Sequence, residues 1–426
     1  MSTSAQYGDA EATGPLVAAD GTPLKQKLRQ ALFVSRLRAF GLVSPLLAFV
    51  VFAFIVPIII FMTRGVHDDI YARYMPQSTE LVASWDAKSE PTEAMYAAMA
   101  ADLVAARKHP DRPIGKVATR LNREYPGARS LITSSARKAK RMKAPFKEAL
   151  IKANKKWAKI EVWRAVKVAS TSLTPAYLAA AVDMKFTADG SIVPQDEERR
   201  IHVTLFLRTL EISLIVTLAT LVLGYPVAFL LSVLPLRTSN LLMIMVLLPF
   251  WTSILVRTTA WIAILQGQGV LNDLAVLFGL TPDDARFSLI YNKTGTLVAM
   301  THILLPFMIL PLFSVMKTIP PSYMRAAKSL GATDWTAFWR VYFPLTVPGI
   351  GAGGLLVFIL AIGYYITPAL VGGEDGQMIS NFIDFHMRRS LNWPLAAGMG
   401  TVLLIFVLFL YWLYDRIVGI SNMKLG

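Results

Sequence analysis

The sequence predicts an all-α integral membrane protein with six transmembrane helices and one large helical insert outside the membrane. Three observations predict it. Of the 426 residues, 54% are hydrophobic and 17% are charged, with a mean hydropathy of +0.48, too apolar for an ordinary soluble domain. The apolar residues gather into uncharged runs that are long enough, at about 1.5 Å per residue, to cross a hydrocarbon core of about 30 Å. Between the first and second runs lie about 140 residues, 63–201, that carry charge throughout and read mostly as helix.

Taken in order, residues 1–38 read as a cytoplasmic segment, because Lys25, Lys27, Arg29, Arg36 and Arg38 crowd the start of the first span. The span itself occupies 39–62, with Gly41 to Met62 uncharged. Pro45 and Pro57 bend such a helix without breaking it. The run is too long for a signal-peptide core and no small-residue cleavage site follows it, so it reads as retained.

Residues 63–204 form the extracytoplasmic insert, whose basic residues the positive-inside rule permits because long loops cross regardless of charge. Thr92 to Lys108 reads as an Ala-rich helix after Pro91. Arg137 to Val168 reads as a basic amphipathic surface around Phe146, Leu150, Trp157, Ile160 and Trp163. Such a surface suits a substrate-binding protein, anionic lipid headgroups, or no ligand at all.

The membrane domain proper is 205–418, with further spans at Ile212 to Leu234, Asn240 to Leu265, Thr294 to Met316, Thr346 to Leu370 and Pro394 to Val418. Counting spans puts Arg237, then Lys317, Arg325, Lys328 and Arg340, then Arg416 and the tail 419–426 with Lys424 on the cytoplasmic side. The count and the charge rule agree.

Composition narrows the function. The net charge of +15 sits at membrane flanks and in the insert without a nucleic-acid module, so no nucleic-acid partner is expected. The absence of Cys and the scatter of five His argue against a metal site. No phosphate-cradling G-x-x-x-x-G-K-[ST], no G-x-S-x-G and no H-E-x-x-H occurs, so the chain reads as a non-enzyme with no cofactor of its own.

One polar island breaks the apolar half, at Ser322 to Gly349, within a loop 320–345. Pro320 and Pro321 stop the preceding span, Ser322 offers a cap, and Gly331 supplies a left-handed turn. Thr333 or Asp334 then caps a second short helix, which Pro344 and Pro348 end near Phe343. Trp335, Phe338, Trp339 and Tyr342 would face a partner. Arg325-Ala326-Ala327, three residues, Gly331, nine residues, then Val341-Tyr342-Phe343-Pro344 resembles the EAA loop of ATP-binding cassette (ABC) importer permeases.

The likeness extends from about Arg208 to the carboxyl end. Leu223-Gly224-Tyr225-Pro226, Leu248-Pro249-Phe250-Trp251-Thr252 with Arg257, Leu304-Leu305-Pro306-Phe307, Gly363-Tyr364-Tyr365-Ile366-Thr367-Pro368 through Gly372-Gly373, and Asn392-Trp393-Pro394 are similar to the permease subunit of spermidine/putrescine importers. The resemblance implies a MetI-like transmembrane fold in the bacterial inner membrane, a second permease subunit, an ABC ATPase dimer that binds the ATP and Mg, and an extracytoplasmic binding protein. In the loop it implies ATPase coupling by Arg325, Ala326, Ala327, Gly331, Val341, Phe343 and Pro344. The Ala pair would permit close approach, Gly331 the turn, and Pro344 the join to the fifth span.

Arg325 stands where the family usually has Glu, and a cation in a first turn opposes the helix dipole. For a polyamine, carboxylates and aromatic faces are the expected ligands, and the candidates are Glu211, Trp251, Trp261, Tyr364 and Tyr365; for Glu211 an interfacial ion pair with Arg208 is the structural alternative. The same architecture would serve an opine, an amino-acid derivative, a choline-like cation or iron. A membrane-anchored scaffold or receptor using the basic insert is the alternative of another class.

Overall fold

The computed structural model describes residues 24–187 and 191–418. The tail 419–426 with Lys424 and residues 1–23 of the amino-terminal segment fall outside the described residues. Among the described residues, six helices are long and apolar enough to cross a membrane: Leu32–Thr63, Glu197–Val233, Ile254–Leu277, Lys293–Thr318, Asp334–Gly363 and Trp393–Arg416.

The first span belongs to a compact unit of its own that ends at Phe61. Helices Leu24–Val50 and Val56–Thr63 are joined by a π-helical turn, Val51–Ile55. Pro57 follows that turn by two residues. A second π-turn, Phe338–Tyr342, precedes Pro344 by the same offset. A proline ring clashes with the carbonyl four residues back. At both places that carbonyl lies inside the wider π-turn, which lets the helix continue through the proline.

This corrects the expectation that Pro344 and Pro348 end the second hairpin helix: the chain is helical without interruption from Asp334 to Gly363. The third span departs from expectation in the other direction. The run Asn240 to Leu265 is broken, with Leu236–Leu247 passing through a 3-10 turn, Leu248–Trp251, before Ser253 caps Ile254–Leu265 through Val256 N–H at 3.2 Å. Pro249 inside the turn lacks the N–H that would carry the α-ladder across.

The insert packs around a core of the kind found in water-soluble domains. Trp157 and Trp163 are fully buried, with ring centroids 5.4 Å apart, and Tyr96 meets Trp163 at 4.8 Å. Every polar tip is satisfied: Trp157 Nε1 donates to Ser135 Oγ at 2.8 Å, while Trp163 Nε1 and Tyr96 Oη both donate to the Trp157 carbonyl, at 3.2 and 3.1 Å. Buried Asp102 accepts from Ser78 N–H and Oγ at 2.7 and 2.8 Å, fixing the start of helix Pro76–Ala83. Burial nevertheless raises the Asp102 pKa.

The segment read as one basic amphipathic surface is instead the end of Ala128–Lys138, then Phe146–Ala153, a 3-10 turn Lys155–Ala158, and Ile160–Ser170. Pro145 and the Asn154 side chain, which accepts from Lys156 N–H at 3.1 Å, set the breaks. Leu150, Trp157 and Trp163 point into the insert.

The chain enters and leaves this core side by side. Asp68 N–H bonds the Ser172 carbonyl at 2.9 Å and Thr174 N–H the Val66 carbonyl at 2.8 Å. Buried Asp68 locks the neck by pairing with Arg120 at 3.1 Å and Arg123 at 3.3 Å and accepting from the Tyr177 hydroxyl. Asp183 then accepts three backbone N–H bonds, from Ile201, His202 and Val203, and so caps the helix His202–Val233.

In the membrane half, His202–Val233, Lys293–Thr318 and Phe343–Gly363 pack together around Ile212, Val216, Met300, Leu304, Met308 and Leu312. Small residues bring them close: a Cβ on Gly224 would lie 3.2 Å from Ile309, on Gly349 3.0 Å from Val315, and on Gly353 2.8 Å from Met308 Sδ.

Candidate functional site

The hairpin begins at Pro321, with Pro320 as its N-cap. No side chain caps the helix, and Pro321 at the first helical position removes one of the N–H groups that would otherwise lack a partner there. Helix Pro321–Ser329 closes on Gly331, whose φ is +89°. Gly331 N–H reaches the Lys328 carbonyl at 2.9 Å and Ala332 N–H reaches the Ala327 carbonyl at 3.1 Å. These two bonds are the Schellman closure that the Gly predicts. Thr333 Oγ1 then caps Asp334–Ala337 by accepting from Thr336 N–H at 3.3 Å, and Lys328 pairs with Asp334 across the turn.

The faces of this hairpin divide differently from expectation. Trp335 is 72% exposed and Leu330 89%, with Trp339 and Tyr323 also exposed. Phe338 and Tyr342 turn inward, their rings meeting Phe229 at 6.1 and 5.3 Å, and Phe338 also meets Tyr225 at 6.3 Å. Among the family-pattern positions, Arg325 and Ala326 are exposed, Ala327 is buried, and Val341 and Phe343 are half-buried. Ala327 therefore packs the hairpin and does not offer surface to a partner. Arg325 has no ion pair among the described residues.

The pathway candidates fall into separate places. Glu211 lines an open cavity of about 670 Å³ with Arg208, Asn292, Lys293 and Asp375. Its ion pair is with Lys293, whereas Arg208 donates to the Glu374 carbonyl at 2.7 Å, so the Arg208 pairing is replaced. The loop carrying Glu374 and Asp375 is held by tight backbone: Gly373 has φ +54° and a Cβ there would lie 2.1 Å from the Tyr291 carbonyl oxygen. Thr296 Oγ1 completes the clamp by donating to the Gly376 carbonyl at 3.2 Å.

A second group forms around Arg257. On the same helix Trp261 Nε1 donates to His302 Nδ1 at 3.1 Å, with their rings 5.3 Å apart, and Tyr364 is half-buried. An imidazole that accepts at Nδ1 carries its proton on Nε2. Arg257 Nε is buried without a hydrogen-bond partner among the described residues. The backbone beside it is fixed by Ser380 Oγ on the Tyr364 carbonyl, Asn381 Nδ2 on the Tyr365 carbonyl at 2.7 Å, and Thr258 with Thr367 at 3.1 Å.

Tyr365 thus contributes a carbonyl to this framework, and Trp251, 81% exposed in the broken third span, joins neither group. His302 and Lys293 join the candidate site although sequence reasoning does not single them out. A histidine inside an otherwise apolar span is the available signal for His302. Nothing local marks Lys293 as the partner of a carboxylate 82 residues away.

Residues 210–422 match the family described as binding-protein-dependent transport system inner membrane component. The chain is 33% identical over 244 residues to the spermidine/putrescine transport system permease protein PotB of Escherichia coli, covering 57% of this chain and 87% of that protein. It is 34% identical over 214 residues to PotB of Haemophilus influenzae, covering 50% and 74% respectively. A solved bacterial alginate ABC transporter, crystallised with its pentasaccharide-bound periplasmic protein, overlaps 52% of this chain and 80% of its own at 20% identity, with a TM-score of 0.41.

Proposed function

Because the chain belongs to the family of binding-protein-dependent transport system inner membrane components, we propose that it forms, with a second permease subunit, the path by which an ABC importer admits a polyamine of the spermidine/putrescine class. It is a multi-pass inner-membrane transporter subunit and not an enzyme. In the proposed complex ATP and Mg are held by an ATPase dimer, and a soluble extracytoplasmic carrier delivers the cargo. The cargo assignment is supported by the identity to PotB along most of that protein's length. Basic residues before the first span and in the hairpin support an orientation with the amino terminus and the hairpin cytoplasmic and the insert outside.

The observation that carries the mechanism is the unbroken helix from Asp334 to Gly363. A hairpin that moves with an ATPase then moves the fifth span as one rod, with no loop to absorb the displacement. Exposed Trp335, Trp339, Leu330 and Tyr323 offer the contact surface, Ala326 allows close approach beside Arg325, and the Gly331 turn sets the angle. Val341, Phe343 and Pro344 act inside the rod: the first two pack it, and Pro344 sits beyond the π-turn that keeps it continuous.

Along the path, the Glu211 cavity presents to an ammonium the Glu211 carboxylate, shared with Lys293, and that of Asp375 at one end. Trp261, one turn from the Arg257 cation, and Tyr364 supply aromatic faces worth about 0.5 to 2 kcal/mol per ring to a desolvated ammonium, against which repulsion from Arg257 counts. Trp251 and Tyr365 would enter only through a surface completed by the second subunit.

The test is ATP hydrolysis by the complex reconstituted in bilayers, with and without spermidine-loaded carrier. Stimulation by the loaded carrier, lost in Gly331→Pro with the complex still assembled, is the expected result. Hydrolysis indifferent to spermidine and carrier would sink the cargo assignment, and stimulation that survives Gly331→Pro would sink the lever.

A further inference from the structure

The positive charge of the insert is not spread over it. Residues 137–159 hold ten Lys or Arg and a single acid, Glu148, while the rest of 63–204 holds fifteen basic and fifteen acidic residues. Solubility alone would not confine the surplus to 23 consecutive positions. Arg137, Lys138, Lys140, Arg141, Lys143 and Lys152 are exposed. Among the described residues of this segment only Lys147 has a carboxylate partner, Glu90 at 3.1 Å.

We propose that this surface steers and docks the soluble carrier protein through a carboxylate-rich face of that carrier. The inference rests on the import reading in one respect: it takes the partner to be that reading's carrier, with carboxylates exposed outside its cleft to match the patch.

Three features favour a protein over a bilayer. The apolar residues of the same segment are used up inside: Leu150 and Trp157 are fully buried and Phe146 packs on the insert core, so no apolar face remains to enter an interface. Helix Phe146–Ala153 packs chiefly on Glu93–Lys108, on Ala128–Lys138 and on the 3-10 turn that follows it. Attachment of the insert to the membrane helices is made elsewhere, where Gly398 is closely approached by Gly65 and by the Tyr177 carbonyl.

Finally, eight of the ten cations are lysines. Lysines are mobile point charges without the planar fork that clamps a phosphate, so they suit a transient, adaptable encounter. A patch of this kind acts on association rate, and its action fades with salt.

The experiment measures association of spermidine-loaded carrier with the full transporter in nanodiscs of phosphatidylcholine. Reversing the patch (Lys138→Glu, Lys140→Glu, Arg141→Glu, Lys143→Glu) should slow association about tenfold at low ionic strength, with the difference closing near about 0.5 M salt. Hydrolysis at saturating carrier should be unchanged. A control set of exposed cations elsewhere on the insert, Lys108→Glu, Arg112→Glu and Lys116→Glu, should stay within about twofold.

Unchanged association in the patch variant overturns the proposal, as does equal slowing in the control set, which would mean net charge alone. Slowing that appears only when phosphatidylglycerol is present assigns the patch to the membrane and also overturns it. If reversal slows association but spermidine never stimulates hydrolysis, the import reading fails and the steering surface stands. If hydrolysis is stimulated and reversal changes nothing, the reverse holds.

Discussion

The insert and the membrane domain solve the packing problem by opposite means. The insert buries large aromatic side chains and completes every hydrogen bond they carry, as Trp157, Trp163 and Tyr96 do. The membrane domain leaves Val222, Leu223, Leu408 and Trp412 exposed and draws its helices together over Gly224, Gly349 and Gly353. In water, burying apolar area stabilises a fold; between helices in lipid that term is absent, and close backbone contact replaces it. The two halves should therefore respond differently to the same kind of mutation.

The largest effect is expected in the insert. Trp157→Ala removes a fully buried ring and strands the Ser135 hydroxyl, and should cost about 3 to 5 kcal/mol. The check is limited proteolysis and thermal unfolding of the purified protein, with cleavage confined to 63–201. If cleavage spreads equally into the membrane helices, the two regions are not separately stabilised.

Next comes overpacking in the membrane domain. Even a Cβ at Gly353 would stand 2.8 Å from Met308 Sδ, so Gly353→Leu drives a whole side chain into Met308 and should cost about 1 to 3 kcal/mol. Met308→Ala in the same chain should recover much of it. The measurement is thermal stability in detergent. A variant as stable as wild type would mean that the helices separate freely, and the close-contact account would fail.

Gly331→Ala is smaller in stability and larger in consequence. Nothing lies within 4 Å of the added Cβ, so the cost is the left-handed backbone alone, about 1 kcal/mol. Stability should drop by little while carrier-stimulated hydrolysis falls several-fold. Equal, proportionate losses in both would make Gly331 a stability residue only.

What can be read from the sequence follows from how local each determinant is. Gly331 and Thr333 act within a few residues, and their turn and cap are legible. Pro344 reads as a stop, and is not one, because a π-turn has no signature in a 3.6-residue pattern. The stripe of Phe146, Leu150 and Trp157 is legible as apolar, but its periodicity does not say whether a protein core or a bilayer receives it. In the candidate site the aromatic positions stand out by residue type, whereas the Glu211–Lys293 pair and the Arg257, Trp261 and His302 grouping depend on helices far apart in sequence.

The last comparison is read from pH and sits where the two regions meet. His386, on helix Ile379–Arg388, faces His202 with ring centroids 6.4 Å apart and feels Arg123 from the insert. Burial first, then these two neighbours, lower its pKa from 6.5 to about 4. The folded protein thus keeps His386 neutral where the unfolded chain has already taken a proton. The unfolded state binds more protons between pH 6.5 and about 4, so stability should fall as pH falls through that window and level off below it. His386→Gln should flatten this slope while leaving stability near pH 8 almost unchanged, as read by thermal unfolding across pH. His202, held at 3.0 Å from Asp183, keeps its own partner in the variant. A slope that persists undiminished would place the acid sensitivity in the buried carboxylates of the insert, and the joint would then be no weaker than the regions it connects.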